Sequence, residues 1–117
     1  MTSAHYETLL SQVGDAVRAI KEKHPDQPVG ADLNNDQLVE ARRAQIAIMR
    51  AQAHEAGVLA QRNVEAGEVE LARVLSEWND QMGHAADEQA RYMASSEFKQ
   101  WLADRMEWLG VPAVAGQ

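Results

Sequence analysis

The chain has 117 residues, a formal net charge of -7 and no cysteine, with 20 alanines against only three Trp, two Tyr and one Phe. That length gives a single domain with a modest core. The charge argues against binding nucleic acid through its phosphates, which takes clustered Lys and Arg. The missing cysteines exclude disulfides, thiolate metal sites and cysteine nucleophiles.

Alanine is the best helix former but buries little area per side chain. Such a chain forms helices readily and has a thin core unless helices pack closely or a partner adds surface. The start, Met1 to Glu7, has neither a basic segment nor an apolar one, so no signal peptide is expected. The longest purely apolar run, Ile46 to Met49, is far short of a membrane span. The expected setting is the cytoplasm, or the inside of an assembled particle, with no membrane contact.

The first predicted element is a helix over 4–24. Tyr6, Leu9, Leu10, Val13, Ala16, Val17 and Ile20 recur at helical spacing on one face. Thr2 or Ser3 suits its start, and Lys21, Lys23 and His24 suit its negative end. Pro25 stops it. Residues 25–34 then read as a loop. Asp32, Asn34 and Asp36 imitate the first ligands of a calcium loop, but the sixth and twelfth positions are Gln37 and Arg43 instead of Gly and Glu. Asn34 and Gln37 read instead as a capping box that opens the next helix.

From Asp36 to Met93 no proline intervenes. Leu38, Ile46, Met49, Ala53, Ala56, Ala60 and Val64 share one face of this stretch. Ala41, Ala44, Ile48, Ala51 and Leu59 form a second, so the helix should contact two neighbours. Arg43, Arg50, His54 and Gln61 run between them as a basic to neutral stripe. Beyond residue 60 the apolar line shifts to Val64, Gly67, Leu71, Val74, Trp78, Met82, Ala85 and Met93, which marks a stutter or a break. The stretch 35–93 is therefore one long helix or a tight hairpin broken near 63–67. The lack of Pro, Asn-Gly or a polar cluster tips the reading towards a continuous or kinked helix. Ala94, Ser95, Ser96 and Glu97 restart a helix over 96–109, with Ser96 as its cap, and Gly110 and Pro112 end it. Residues 110–117 form a small apolar tail.

The fold class read from the sequence is all-α, with bundle or coiled-coil-like packing. The alanine face of the long helix, Ile46, Met49, Ala53, Ala56 and Ala60, is expected to be left uncovered and to meet a second copy. Trp101, Arg105 and Trp108 line one edge of the last helix. They either fill the core or present a docking face of the residue types enriched at hot spots.

Charge divides the long stretch. Residues 36–62 are near neutral, whereas residues 63–90 carry seven acids against Arg73 alone. Antiparallel association, within a chain or between two, would set these halves side by side. Glu77, Asp80, Asp87 and Glu88 form an acidic face that suits a basic partner. Glu77, Asp80 and His84 are the lesser candidates for a metal, since the paired Glu-x-x-His motifs of di-iron bundles are absent. Ser96 and Lys99 formally match Ser-x-x-Lys, but the chain lacks the large domain and further motifs that such enzymes use.

These readings converge on a non-enzymatic assembly or adaptor protein without a cofactor. It would self-associate and present helical faces to other proteins, as a component of a phage particle or of a secretion or scaffolding machine would. The alternative is a small acidic inhibitor, of the antitoxin kind, that masks a basic site. A metal-binding helical bundle is the third reading.

Overall fold

In a computed structural model, residues 3–27 and 33–108 are described, the side chains of Ser3, Glu107 and Trp108 excepted. Four helices form among the described residues: α1 (Ser3–Lys23), α2 (Asn35–Glu65), α3 (Val69–Met93) and α4 (Ser96–Trp108). The all-α expectation holds. None of the helices is long and apolar enough to cross a membrane, among the described residues. The caps proposed for α1 at Thr2 or Ser3, and the end and tail at 109–117, lie outside the described residues or side chains.

Of the two forms read for 35–93, the hairpin broken near 63–67 is the one that forms, and the lean towards a continuous helix is corrected. Gly67 takes φ +81°, a left-handed conformation that costs a residue with a Cβ about 1–2 kcal/mol. Around it the Glu68 amide donates to the Asn63 carbonyl at 2.8 Å and the Gly67 amide to that of Val64 at 3.1 Å. These two bonds are the Schellman closure of a helix end. They satisfy the last carbonyls of α2 and turn the chain within three residues. The Asn63 side chain adds a bond to the Leu59 carbonyl at 2.8 Å.

Reversal lets the apolar face of α2 bury itself against α3 instead of waiting for another chain. The two helices run antiparallel: Arg50 reaches Asp87 at 3.2 Å, and Gly57 faces Asn79. Contact is close because small residues line it. Ala53, Ala56 and Ala60 of α2 and Ala72 and Ala86 of α3 are all buried. A Cβ on Gly57 would sit 3.4 Å from Asn79 Nδ2. The resulting rod measures 63 × 24 × 21 Å and has a radius of gyration of 19.2 Å. A compact domain of about 100 residues has about 13 Å.

α1 lies over the tip half of the hairpin. His5 Nε2 meets Glu70 Oε2 at 3.0 Å near the turn, and Lys23 Nζ meets Glu55 Oε1 at 2.7 Å at the other end. Leu9, Val13 and Ala16 pack with Leu59 on the cluster of Ala60, Leu71 and Leu75, and Ile20 is buried. α2 therefore has two neighbours, as its two apolar faces require. Tyr6 and Leu10, at the edge of the α1 stripe, stay half exposed.

A polar clasp fixes the end of α1. Gln52 is fully buried, and its Nε2 donates to the His24 carbonyl at 2.8 Å and to Asp26 Oδ1 at 3.0 Å. That orientation leaves Gln52 Oε1 buried with no partner among the described residues. Gln45 Nε2 and Lys21 Nζ also reach Asp26, at 3.1 and 3.0 Å. Hydrogen bonds from Gln45, Lys21 and Gln52 hold the Asp26 carboxyl down at about 2, below its ordinary 3.8. The lowered value means that the folded chain binds this proton less well than the unfolded one. The contribution is thus complete above pH 3.8 and is lost as pH falls towards 2. Asp26 is half exposed, so solvent screening holds its worth to about 1 kcal/mol. Urea titrations at pH 5 and pH 2.5 should show that loss, and Asp26→Asn should flatten the difference.

Candidate functional site

The open end of the hairpin is closed by α4. Ser95, and not Ser96, caps it: the Phe98 amide donates to Ser95 Oγ at 3.2 Å, while that hydroxyl donates to the Tyr92 carbonyl at 2.6 Å. One residue separates the Ser cap read from the sequence and the one that forms. The bond needs an oxygen three residues before a first-turn amide, and Phe98 is third in the helix. Ser96 is exposed, so the Ser-x-x-Lys pairing with Lys99 has no enclosed site.

The cap delivers Phe98 into the core, where it is 2% exposed. Tyr92 lies tilted against it with ring centroids 5.3 Å apart, and Trp101 stacks on it at 5.8 Å. The Arg42 guanidinium of α2 stands 5.7 Å from the Phe98 ring and 5.4 Å from Trp101. Such cation–π contacts contribute about 0.5–1 kcal/mol each where solvent reaches them.

A second link ties α4 to the start of α2. Arg105 donates from Nη1 to Asn35 Oδ1 at 2.8 Å and from Nη2 to the Leu33 carbonyl at 2.5 Å. Asn35 Nδ2 in turn donates to the Leu102 carbonyl at 3.0 Å. Next to these residues the capping box of Asn34 and Gln37 forms as expected, with bonds of 2.8 and 3.0 Å.

Where α2, α3 and α4 meet, a cleft of about 580 Å³ remains. Val39, Ile46 and Ala47 of α2 form one wall, Ala90 and Met93 of α3 a second, and Phe98 and Leu102 of α4 a third. Arg43, Arg50 and Lys99 also line it and are exposed. An apolar floor under three cations suits an apolar side chain flanked by carboxylates. The volume lies within the roughly 300–1,000 Å³ usual for binding pockets.

The structure redistributes the residues singled out from the sequence. Ile46, Ala53, Ala56 and Ala60 are buried inside the chain and Met49 is half-buried. The alanine face expected to meet a second copy is therefore covered by the chain itself. The physical reason is the turn at Gly67, which supplies an intramolecular partner at far smaller entropic cost than association does. Arg105 is turned inward to Asn35, while Trp101 remains 39% exposed. The Trp108 side chain lies outside the described ones.

Glu77, Asp80, Asp87 and Glu88 are all exposed along α3. Glu77 pairs with Arg73 at 2.9 Å, and Glu88 with His84 at 3.1 Å. Among the described residues no group of three or more His, Asp or Glu could hold a metal ion. The metal reading of Glu77, Asp80 and His84 has no site among the described residues: one helix spreads these side chains along its surface, and none of the other described helices brings ligands to them.

Two features escaped the sequence. The cleft did, although the stripe of Arg43 and Arg50 with Ala47 between them was its visible half; Lys99 comes from another helix. The exposure of the hairpin tip did too, since the apolar pattern places Val64 on a covered face. Val64 and Val69 flank the turn at 54% and 66% exposed, with Glu65, Glu68 and Glu70 around them. No family model matches the chain, and neither a curated protein nor a solved structure does.

Proposed function

We propose that the protein is a non-enzymatic assembly or adaptor component that works by docking another protein segment in the cleft between α2, α3 and α4. The single observation that carries this reading is the combination in that cleft: an apolar floor on Ile46, Phe98 and Leu102 under Arg43, Arg50 and Lys99, in a chain of net charge -7. Cations gathered around an apolar hollow on an otherwise acidic protein favour an acidic, apolar segment. Complementary charge of this kind sets partner choice and encounter rate. Membership of a phage particle or of a secretion or scaffolding machine is compatible with this role.

The test is a photo-crosslinking amino acid at Ala47, which is exposed and lines the cleft. In its native host, discrete protein adducts are expected that Arg43→Glu reduces at least tenfold. A bare protein at Ala47, or adducts indifferent to Arg43, would remove the cleft from the function.

A second reading rests on a different observation. The exposed carboxylates of Glu77, Asp80, Asp87 and Glu88 on α3 favour a role as an acidic mask over a basic partner site. Charge reversal there, at Glu77, Asp80 and Glu88, should release such a partner while leaving the cleft adducts at Ala47 intact.

A further inference from the structure

The two features that the sequence did not show are complementary to each other. At one end of the rod, the turn projects Val64 and Val69, the two most exposed of the large aliphatic side chains described. Three carboxylates, Glu65, Glu68 and Glu70, surround them. Towards the other end lies the apolar cleft with three cations, Arg43, Arg50 and Lys99. The protein thus carries both an apolar acidic knob and an apolar basic hollow.

The knob cannot reach the hollow of its own chain. Along α2, Ile46 and Val64 are separated by eighteen residues of unbroken helix, or roughly 27 Å at about 1.5 Å per residue. Only another molecule can bring the two together. We propose that the hairpin tip of one copy docks into the α2–α3–α4 cleft of a second copy, with Val64 and Val69 on the apolar floor and the tip glutamates among Arg43, Arg50 and Lys99. This deepens the docking reading given above and rests on it.

The tip suits the task in two further ways. Its backbone is already fixed by the Schellman bonds at Gly67, so docking orders little new chain. Its charges are held only by surface partners: Glu70 by His5, and Glu65 by Gln61 at 3.3 Å. On the cleft side Arg50 pairs with Asp87, and Arg43 stands 3.9 Å from Glu40. Exposed pairs of this kind are worth about 0–1 kcal/mol and exchange readily for new ones. The other half-exposed apolar side chains fit the hollow less well. Tyr6 and Leu10 have one carboxylate close in sequence, Glu7, and Trp101 is already stacked on Phe98 and Arg42.

Knob and hollow are different surfaces, so the contact is heterologous. It closes as a reciprocal pair, tip to cleft twice over, or runs on as a chain of copies. Two sets of substitutions separate the surfaces. Val64→Lys with Glu68→Lys spoils the tip, and Arg43→Glu with Lys99→Glu spoils the cleft. All four side chains are exposed, and the turn uses the backbone of Val64 and Glu68, so circular dichroism melts should match the unaltered protein.

Sedimentation equilibrium over a dilution series reads the result. The unaltered chain should exceed its 13.0 kDa monomer mass, increasingly with concentration. It should dissociate at least tenfold more readily when salt rises from about 0.05 M to about 0.5 M, where charge is screened over a few ångströms. Each variant alone should stay monomeric. Mixed together, the two variants should form a one-to-one pair, because each retains the surface that the other lacks. A monomer at every concentration, either variant associating like the unaltered chain, or a mixture that stays monomeric overturns the tip-in-cleft contact. Were Ala47 then to crosslink a different protein, the docking cleft would stand and only its occupant would change. With no Ala47 adduct either, both readings fall.

Discussion

Leu75→Ala is expected to cost about 3 kcal/mol, which lowers the thermal midpoint by about 10 °C in a domain of this size. Leu75 is 1% exposed and sits where three helices meet, against Leu71 and Ala60 and under the α1 side chains Leu9 and Val13. Removing its branched end takes away burial and leaves a cavity. The alanines nearby have no atoms beyond Cβ with which to fill it. Domains of this kind hold about 5–15 kcal/mol in total, so the loss is a large share. Leu10→Ala is the control. Leu10 is the same residue type on α1 but is 52% exposed, and its replacement should shift stability by no more than about 0.5 kcal/mol. Urea denaturation of both variants decides it. Equal losses would mean that α1 packs through a different face.

The contrast between Leu75 and Leu10 also shows how far the sequence could be read. Apolar periodicity placed both on helices but marked only Leu10 as inward facing; the apolar line beyond residue 60 ran through Val74 and Trp78 and passed Leu75 by, although Leu75 is the buried one. It could not say which edge of a stripe a neighbouring helix covers. Leu10 stays half exposed because the hairpin contacts the Leu9, Val13 and Ala16 side of α1. Helix ends were legible for a firmer reason, since Asn34, Gln37 and Pro25 act through short-range chemistry. Even there the cap of α4 fell on Ser95 and not on Ser96, because two adjacent serines carry the same signal.

The turn at Gly67 was the harder case. An isolated glycine in an apolar helical pattern costs about 1 kcal/mol against alanine wherever it stands. The shift of the apolar line near residues 63–67 made Gly67 the better candidate for a break than Gly57, but it did not decide between a kink and a reversal. Gly57 stays inside α2 and faces Asn79, whereas Gly67 adopts φ +81° and reverses the chain. What decides between kink and reversal is the long-range gain from folding one alanine face onto another. No local window contains that gain. The cleft was half visible for the same reason: Arg43 and Arg50 share a helix face, but Lys99 and Phe98 join them only once α4 has folded back.

That long-range packing sets the second large effect. Ala56→Leu is expected to destabilise the chain by about 2–3 kcal/mol, because over-packing a filled contact forces side chains off their rotamers and moves backbone. Ala56 is 0% exposed on the face of α2 that also carries Ala53 and Ala60. Its neighbour Gly57 stands close to Asn79, where an added Cβ would come to 3.4 Å from Nδ2. Three added carbons must push α2 off its neighbours along several turns, since helices shift as rigid units. The sign of this effect separates two pictures of the alanine face. If that face were free in the monomer and met a second copy, leucine would enlarge an apolar surface, leave monomer stability nearly unchanged and alter association. If it is the inner contact of a hairpin, leucine lowers stability in dilute solution, where no second copy is present. Ala47→Leu supplies the reference, because Ala47 is on the same helix but exposed, and should change stability by no more than about 0.5 kcal/mol. A denaturation midpoint for Ala56→Leu that matches that of Ala47→Leu at low protein concentration would show that the alanine face is open, and the hairpin would have to be given up.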